Sequence, residues 1–218
     1  MFAWLPRVTK NLVTQLAQAF PAAEIQIIYG MTEAGPRISH MCVDTTNFTE
    51  GLVGKPFDHF ECRVEPFEGA KFESGSGRLL LRGPAMFLGY VSGDGGYVGL
   101  SDDGFFRTSD LVNFDDHGNL HFIERSDRLF KSGGKLISPA EIENVLLRHS
   151  AVAEANCIKI DHPILGYAPV AEVILKGGCN VDAEVLKKEC ERQLQPHSVP
   201  RSIRITKLFS LSGSGKKV

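Results

Sequence analysis

The fold turns on one stretch: Glu124-Arg125-Ser126-Asp127-Arg128-Leu129-Phe130-Lys131-Ser132-Gly133-Gly134-Lys135-Leu136-Ile137-Ser138-Pro139-Ala140-Glu141. Upstream of it, glycines punctuate the chain at Gly69, Gly75, Gly77, Gly83, Gly89, Gly93, Gly95, Gly96, Gly104 and Gly118. Short apolar runs such as Arg78-Leu79-Leu80-Leu81 lie between them, which is the pattern of successive β-hairpins. Downstream the pattern becomes α+β. Ser138-Pro139-Ala140-Glu141 is a capping box with proline at the first helical position, where its missing N–H costs nothing, so a helix starts there. Ile142, Val145 and Leu146 give that helix a buried stripe. Strands are predicted over Val152 to Ile160 and Pro169 to Leu175. A second helix starts near Asp182 and buries Leu186, Cys190 and Leu194, and a last strand carries Ile203 and Ile205. The change of pattern sets a boundary at Arg125-Ser126-Asp127, which predicts one body over 1–126 and another over 127–218. No Pro- or Gly-rich linker separates them, so the junction reads as a hinge.

Before the hairpin region, Leu12, Leu16 and Phe20 recur every fourth residue beside Val13 and Ala17, an amphipathic helix over Asn11 to Phe20 that Pro21 stops. Glu24 to Tyr29 reads as an Ile-rich strand.

The 218 residues are 43% hydrophobic and 23% charged, an ordinary globular composition. Lys plus Arg number 24 against 26 Asp plus Glu, a formal charge of −2 that gives no electrostatic case for a nucleic-acid partner. No apolar run is long enough to span a bilayer. Five scattered cysteines, never spaced CxxC, predict neither a zinc site nor a disulfide framework, and cytoplasmic is the expected localisation.

Four motifs carry chemistry. Tyr29-Gly30-Met31-Thr32-Glu33-Ala34-Gly35 follows a strand, and Gly30 permits a sharp exit. Thr32 and Glu33 would sit at the strand's C-terminal end, a hydroxyl and a carboxylate suited to a phosphate and Mg2+. A plain polar turn is the other reading. In Gly104-Phe105-Phe106-Arg107-Thr108-Ser109-Asp110-Leu111, Asp110 is either an acceptor for ribose hydroxyls or a hairpin Asp-turn. The boundary stretch joins basic residues to the Gly133-Gly134 pair, either a close ligand approach or a basic hairpin turn. Ser212-Gly213-Ser214-Gly215-Lys216 either delivers a lysine charge to an anion or is a tail. It is not a Walker loop, because Ser210 stands where that pattern needs glycine and Lys217 where it needs Ser or Thr. Ser74-Gly75-Ser76-Gly77 precedes a strand, without the helix N-terminus that would face a phosphate.

The order and spacing of these motifs, with Arg82-Gly83-Pro84 and Gly89-Tyr90 between them, resemble the acyl-adenylate-forming (AMP-binding) superfamily, and most of all its acyl- and aryl-CoA synthetases, over about Leu12 to Lys216. The resemblance implies an α/β fold overall. Residues 1–126 would be the tail of the large AMP-binding domain (helix, strand and β-barrel-like subdomain), and 127–218 a small α+β C-terminal lid domain. It implies an acid–thiol ligase that activates a carboxylic acid with ATP, releases pyrophosphate and passes the acyl group to coenzyme A, with fatty acid metabolism as its setting. Thr32 would contact phosphate, and Glu33 would hold Mg2+. Tyr29 and Gly30 would line the adenine and acyl site, Asp110 and Arg125 would meet the ribose, and Asp127 would be the hinge. Gly133 and Gly134 would border the pantetheine channel, and Lys216 would bridge the substrate carboxylate and the α-phosphate.

The chain departs from the family at Glu124 and Ser109, both usually Gly, and at Ser210, usually Pro. The family's phosphate-wrapping loop lies upstream of the Tyr-Gly motif and outside these residues. The expectations are therefore a catalytically poor isolated chain and a separate chain as a candidate source of that loop. The alternative is a non-catalytic nucleotide- or acyl-CoA-binding or partner-docking module.

Overall fold

A computed structural model describes residues 8–67 and 75–209. The chain divides into two compact units, Met1–Ser126 and Asp127–Val218.

The first unit opens with α1 (Lys10–Ala19), whose N-cap Thr9 accepts the Leu12 N–H. Val13 is fully buried at the centre of its apolar face, whereas Phe20, the C-cap, is 55% exposed. The predicted stripe is therefore shorter by one turn. Strand β1 (Ile25–Met31) turns back into β2 (Gly35–Val43), and the two pair antiparallel from Ile25 with Val43 to Tyr29 with Ser39. The Thr32–Glu33 motif therefore occupies a hairpin turn, not the end of a strand in an open α/β sheet. Two glycines enforce the return. Gly35 has φ +84°, and a Cβ on Gly30 would lie 2.4 Å from the carbonyl carbon of Pro36.

A second, five-stranded antiparallel sheet follows. It comprises β3 (Leu52–Gly54), β4 (Glu61–Pro66) and β5 (Gly77–Arg82), then β8 (Phe106–Phe114) and β9 (Leu120–Arg125), in the order β3-β9-β8-β5-β4. Between β5 and β8 in sequence, β6 (Tyr90–Val91) and β7 (Tyr97–Val98) form a small separate hairpin. Leu79 and Leu81 alternate inward on β5 and are fully buried. The sheet is open, where the sequence suggested a barrel-like subdomain. Its edge at β3 is engaged by β2, since Ser39 Oγ donates to the Val53 carbonyl at 2.7 Å and Phe57 N donates to Ile38 O at 3.0 Å. That edge does not turn to β4. On the polar face, Glu61 pairs with Arg63 and Arg82, Arg63 reaches Asp103, and Arg107 pairs with Glu65. The Arg63 and Arg82 guanidinium groups lie 4.1 and 4.5 Å from the ring centroid of buried Phe105.

In the second unit, β10 (Phe130–Ser132) and β11 (Lys135–Ile137) form a hairpin closed by Gly133 and Gly134, both at positive φ. Helix α2 (Pro139–Arg148) starts at N-cap Ser138, which accepts the Glu141 N–H. The long hairpin β12 (Val152–His162) and β13 (Gly166–Leu175) follows, then α3 (Ala183–Gln193), capped by Asp182, and β14 (Ile203–Ile205), parallel to β13. Ile142, Leu146, Val173 and Leu186 are essentially solvent-free in one core between helices and sheet. Within it, the buried Glu143 carboxylate accepts the Cys157 N–H at 2.8 Å and both terminal nitrogens of Arg128. No helix among the described residues is long and apolar enough to cross a membrane.

Candidate active site

The β1–β2 hairpin and strands β8 and β9 bring three of the expected nucleotide-site residues together. Asp110, on β8, is 6% exposed and lies opposite Arg125 of β9 in the antiparallel register. Arg125 Nη1 stands 3.5 Å from Asp110 Oδ1. On the other oxygen, the Tyr29 phenol donates to Asp110 Oδ2 at 2.5 Å. Burial, and then the neighbouring carboxylate, push the Tyr29 phenol well above its ordinary range, so it stays a donor at any ordinary pH. With phenol and guanidinium on its flanks, Asp110 is fixed in orientation. Thr108 Oγ1 accepts the Asp110 backbone N–H at 3.1 Å and donates to Leu79 O at 2.8 Å, locking the strand beneath.

The Thr32–Glu33 turn forms a second cluster. Thr32 is exposed and Glu33 half-buried. Ala34 N donates to Met31 O at 3.2 Å, closing the turn, and Phe87 N donates to Glu33 O at 2.8 Å. The Tyr90 phenol donates to Glu33 Oε1, which raises the Tyr90 pKa above its ordinary value. Sequence reasoning singled out Gly89-Tyr90 as a motif but gave Tyr90 no role. It also placed Tyr29 beside the adenine without its bond to Asp110. No short-range pattern signals either contact.

Among the described residues, no three His, Cys, Asp or Glu side chains gather into a metal cage. One carboxylate at Glu33 beside the Thr32 hydroxyl is the donor set that suits Mg2+, which keeps several waters and takes one or two carboxylates together with phosphate oxygens.

Gly133 and Gly134 occupy the β10–β11 turn of the second unit. A Cβ on Gly133 would lie 2.9 Å from Leu165 Cδ2, and none of the atoms around Gly134 comes within 4 Å of such a Cβ. Asp127 follows Ser126, whose N–H donates to Ser109 O at 2.7 Å in the first unit, and precedes Arg128, held by Glu143 in the second. Lys216 lies outside the described residues.

Two family models match the chain, the AMP-binding enzyme over residues 6–91 and the AMP-binding enzyme C-terminal domain over residues 141–216. Asp110, Arg125, Asp127, Gly133 and Gly134 fall between the matched segments. A 2-succinylbenzoate–CoA ligase of Bacillus licheniformis is 32% identical over 189 residues, covering 86% of this chain and 39% of that protein. The enzyme of the same name from Bacillus velezensis is 34% identical over 174 residues, covering 79% and 35%. The chain thus spans well under half the length of these relatives. The solved o-succinylbenzoate CoA synthetase of Bacillus subtilis, in complex with its acyl-adenylate intermediate, superposes with a TM-score of 0.75 at 27% identity, over 98% of this chain and 43% of that one. ATP-bound MatB from Rhodopseudomonas palustris, at 24% identity and a TM-score of 0.78 over 97% and 42%, shares the fold. The relatives' names carry 2-succinylbenzoate, an aromatic acid, and give no support to the expected setting in fatty acid metabolism. The chain belongs to the AMP-binding, adenylate-forming enzymes of the acyl- and aryl-CoA ligase type and corresponds to the C-terminal part of such an enzyme.

Proposed function

We propose that this chain carries the ribose-binding and metal-binding side of an ATP-dependent acid–CoA ligase. The observation that carries the reading is the Tyr29–Asp110–Arg125 cluster, a nearly buried carboxylate held between a phenol and a guanidinium. Asp110 accepts hydrogen bonds from the ribose hydroxyls, Tyr29 fixes its orientation, and Arg125 offsets its charge. Thr32 donates to a phosphate oxygen, and Glu33 takes Mg2+. When bound, Mg2+ neutralises charge on the phosphates as pyrophosphate leaves.

In the first half-reaction a carboxylate oxygen of the acid attacks the α-phosphorus of ATP, forming acyl-adenylate and releasing pyrophosphate. In the second, the CoA thiolate attacks the acyl carbon, forming the thioester and releasing AMP. Lys216 stabilises charge on the acid and α-phosphate, Gly133 and Gly134 let pantetheine pass close to the backbone, and Asp127 is the pivot between the two steps. The partners of this reading are the acid, CoA and a source of the triphosphate loop, contiguous or on a separate chain. 2-Succinylbenzoate is the first acid to test, because it is named by relatives that share a third of their aligned residues with this chain. The cytosol, where ATP and CoA meet, is the compartment that goes with it.

AMP binding measured by calorimetry tests the reading. Hydrogen bonds to a charged group are worth about 1.5–3 kcal/mol, so Asp110→Asn should weaken AMP binding by roughly 10- to 100-fold, and Tyr29→Phe by a smaller factor. Equal affinity in wild type and Asp110→Asn, or no AMP binding in the wild type, refutes it.

A further inference from the structure

Tyr90 is half exposed, yet its side chain is closely held. Gly89, at φ +130°, brings the chain past β7 where a Cβ would lie 2.8 Å from Val98 O, and a Cβ on Gly99 would come within 3.0 Å of the Tyr90 ring. Phe87 and Phe106 meet that ring edge-on, with centroids 4.9 and 6.3 Å away. Held in this way, the phenol reaches Glu33, 57 residues away in sequence, and donates to Oε1. The same segment grips the Glu33 backbone, because Phe87 N donates to Glu33 O at 2.8 Å. The turn is thus tied twice to residues 87–90, once through its main chain and once through its carboxylate.

From this geometry we infer that Tyr90 is a positioning residue that presets the Glu33 carboxylate for Mg2+. The inference rests on the reading of Glu33 given above. A free glutamate surrenders rotamer freedom when it is fixed. The Tyr90 hydrogen bond fixes it beforehand and occupies Oε1, leaving Oε2 for the cation. Phe87 and Phe106 keep the phenol in place, and the two glycines leave it room. The Gly-Tyr pair therefore serves the Glu33 turn as well as the small β6–β7 hairpin.

A cycle of substitutions on the chain separates positioning from general structural support. Tyr90→Phe keeps the ring and its aromatic contacts and removes one hydroxyl. Binding is read with two probes, Mn2+–ATP by electron paramagnetic resonance and metal-free AMP by calorimetry. We expect Tyr90→Phe to weaken Mn2+–ATP binding by roughly 3- to 10-fold, the range of an ordinary hydrogen bond because this one is open to solvent, while AMP affinity stays within about twofold. In a Glu33→Gln background the same substitution should have no further effect on Mn2+–ATP. Unchanged or tighter Mn2+–ATP binding in Tyr90→Phe overturns the inference, as does equal weakening for both probes or an undiminished effect in the Glu33→Gln background. A wild-type chain that binds neither probe refutes the nucleotide-site reading itself, and the role of the pair with it. That outcome is distinct from one in which wild type and Tyr90→Phe bind equally well.

Discussion

Replacing Arg128 with alanine removes one side of the ion pair that anchors the start of the second unit to α2. Glu143 is buried and holds Arg128 through both terminal nitrogens, while its Oε1 also accepts the Cys157 N–H at 2.8 Å. Stripping one partner from a fully buried pair costs about 3–5 kcal/mol, because a charge is left in low dielectric. Here the Arg128 side chain is 38% exposed, so water reaches the pair, and the amide keeps one carboxylate oxygen engaged. Those two facts bring the expected loss down to about 1–2 kcal/mol. Glu143→Ala should cost more, about 2–3 kcal/mol, since it also takes the acceptor from the Cys157 amide in the core. Glu143→Gln retains an acceptor oxygen and should cost least. For a unit of this size each kcal/mol moves the midpoint by roughly 4–8 °C, so thermal unfolding followed by circular dichroism should order the variants as Glu143→Ala, Arg128→Ala, Glu143→Gln. The double variant should lose less than the sum of the single losses. An Arg128→Ala chain within about 0.3 kcal/mol of wild type, or strict additivity in the cycle, would refute the reasoning.

Gly30→Ala should unfold the β1–β2 return rather than trim it, because the added carbon meets Pro36 backbone at 2.4 Å, and backbone cannot swing aside. Loss of protected amides across β1 and β2 in hydrogen exchange is the expected outcome, and retained protection would contradict it. The Cys62 and Cys190 thiols are each pushed by burial from an ordinary 9.0 up to about 11. The unfolded thiols ionise first as pH rises, so this stability is complete below pH 9 and is lost as pH climbs towards 11. Denaturant midpoints should fall over that interval, and less steeply in Cys62→Val. A flat profile in wild type would contradict the assignment.

What the sequence made readable was local. Ser138 with Pro139, and Asp182, announced helix starts because a cap needs only three or four neighbouring residues, and the apolar spacing of Ile142, Val145, Leu146, Leu186 and Cys190 announced what those helices bury. Pairing between distant segments was not readable. Tyr29 meets Asp110 across 81 residues, and Glu33 meets Tyr90 across 57, contacts set by sheet order and register that carry no periodic signal. The hairpin return after Met31 was hidden for a related reason. A glycine that lets a strand exit sharply and one that lets it fold back on itself look alike until the backbone of Pro36 is seen against Gly30. The open sheet was hidden because closure depends on whether β2 or β4 takes the free edge of β3.

The charged face of the β4–β5–β8 sheet bears on how an anionic ligand would find its site. Three arginines, Arg63, Arg82 and Arg107, stand together there and would attract a nucleotide if their field were open. Each lies beside a carboxylate from Glu61, Glu65 or Asp103, with Glu65 also shared by Arg78, so most of their field is offset within a few ångströms. At physiological salt such a mosaic is silent beyond about 8 Å. The face is a poor decoy, and a passing triphosphate gains nothing by lingering there.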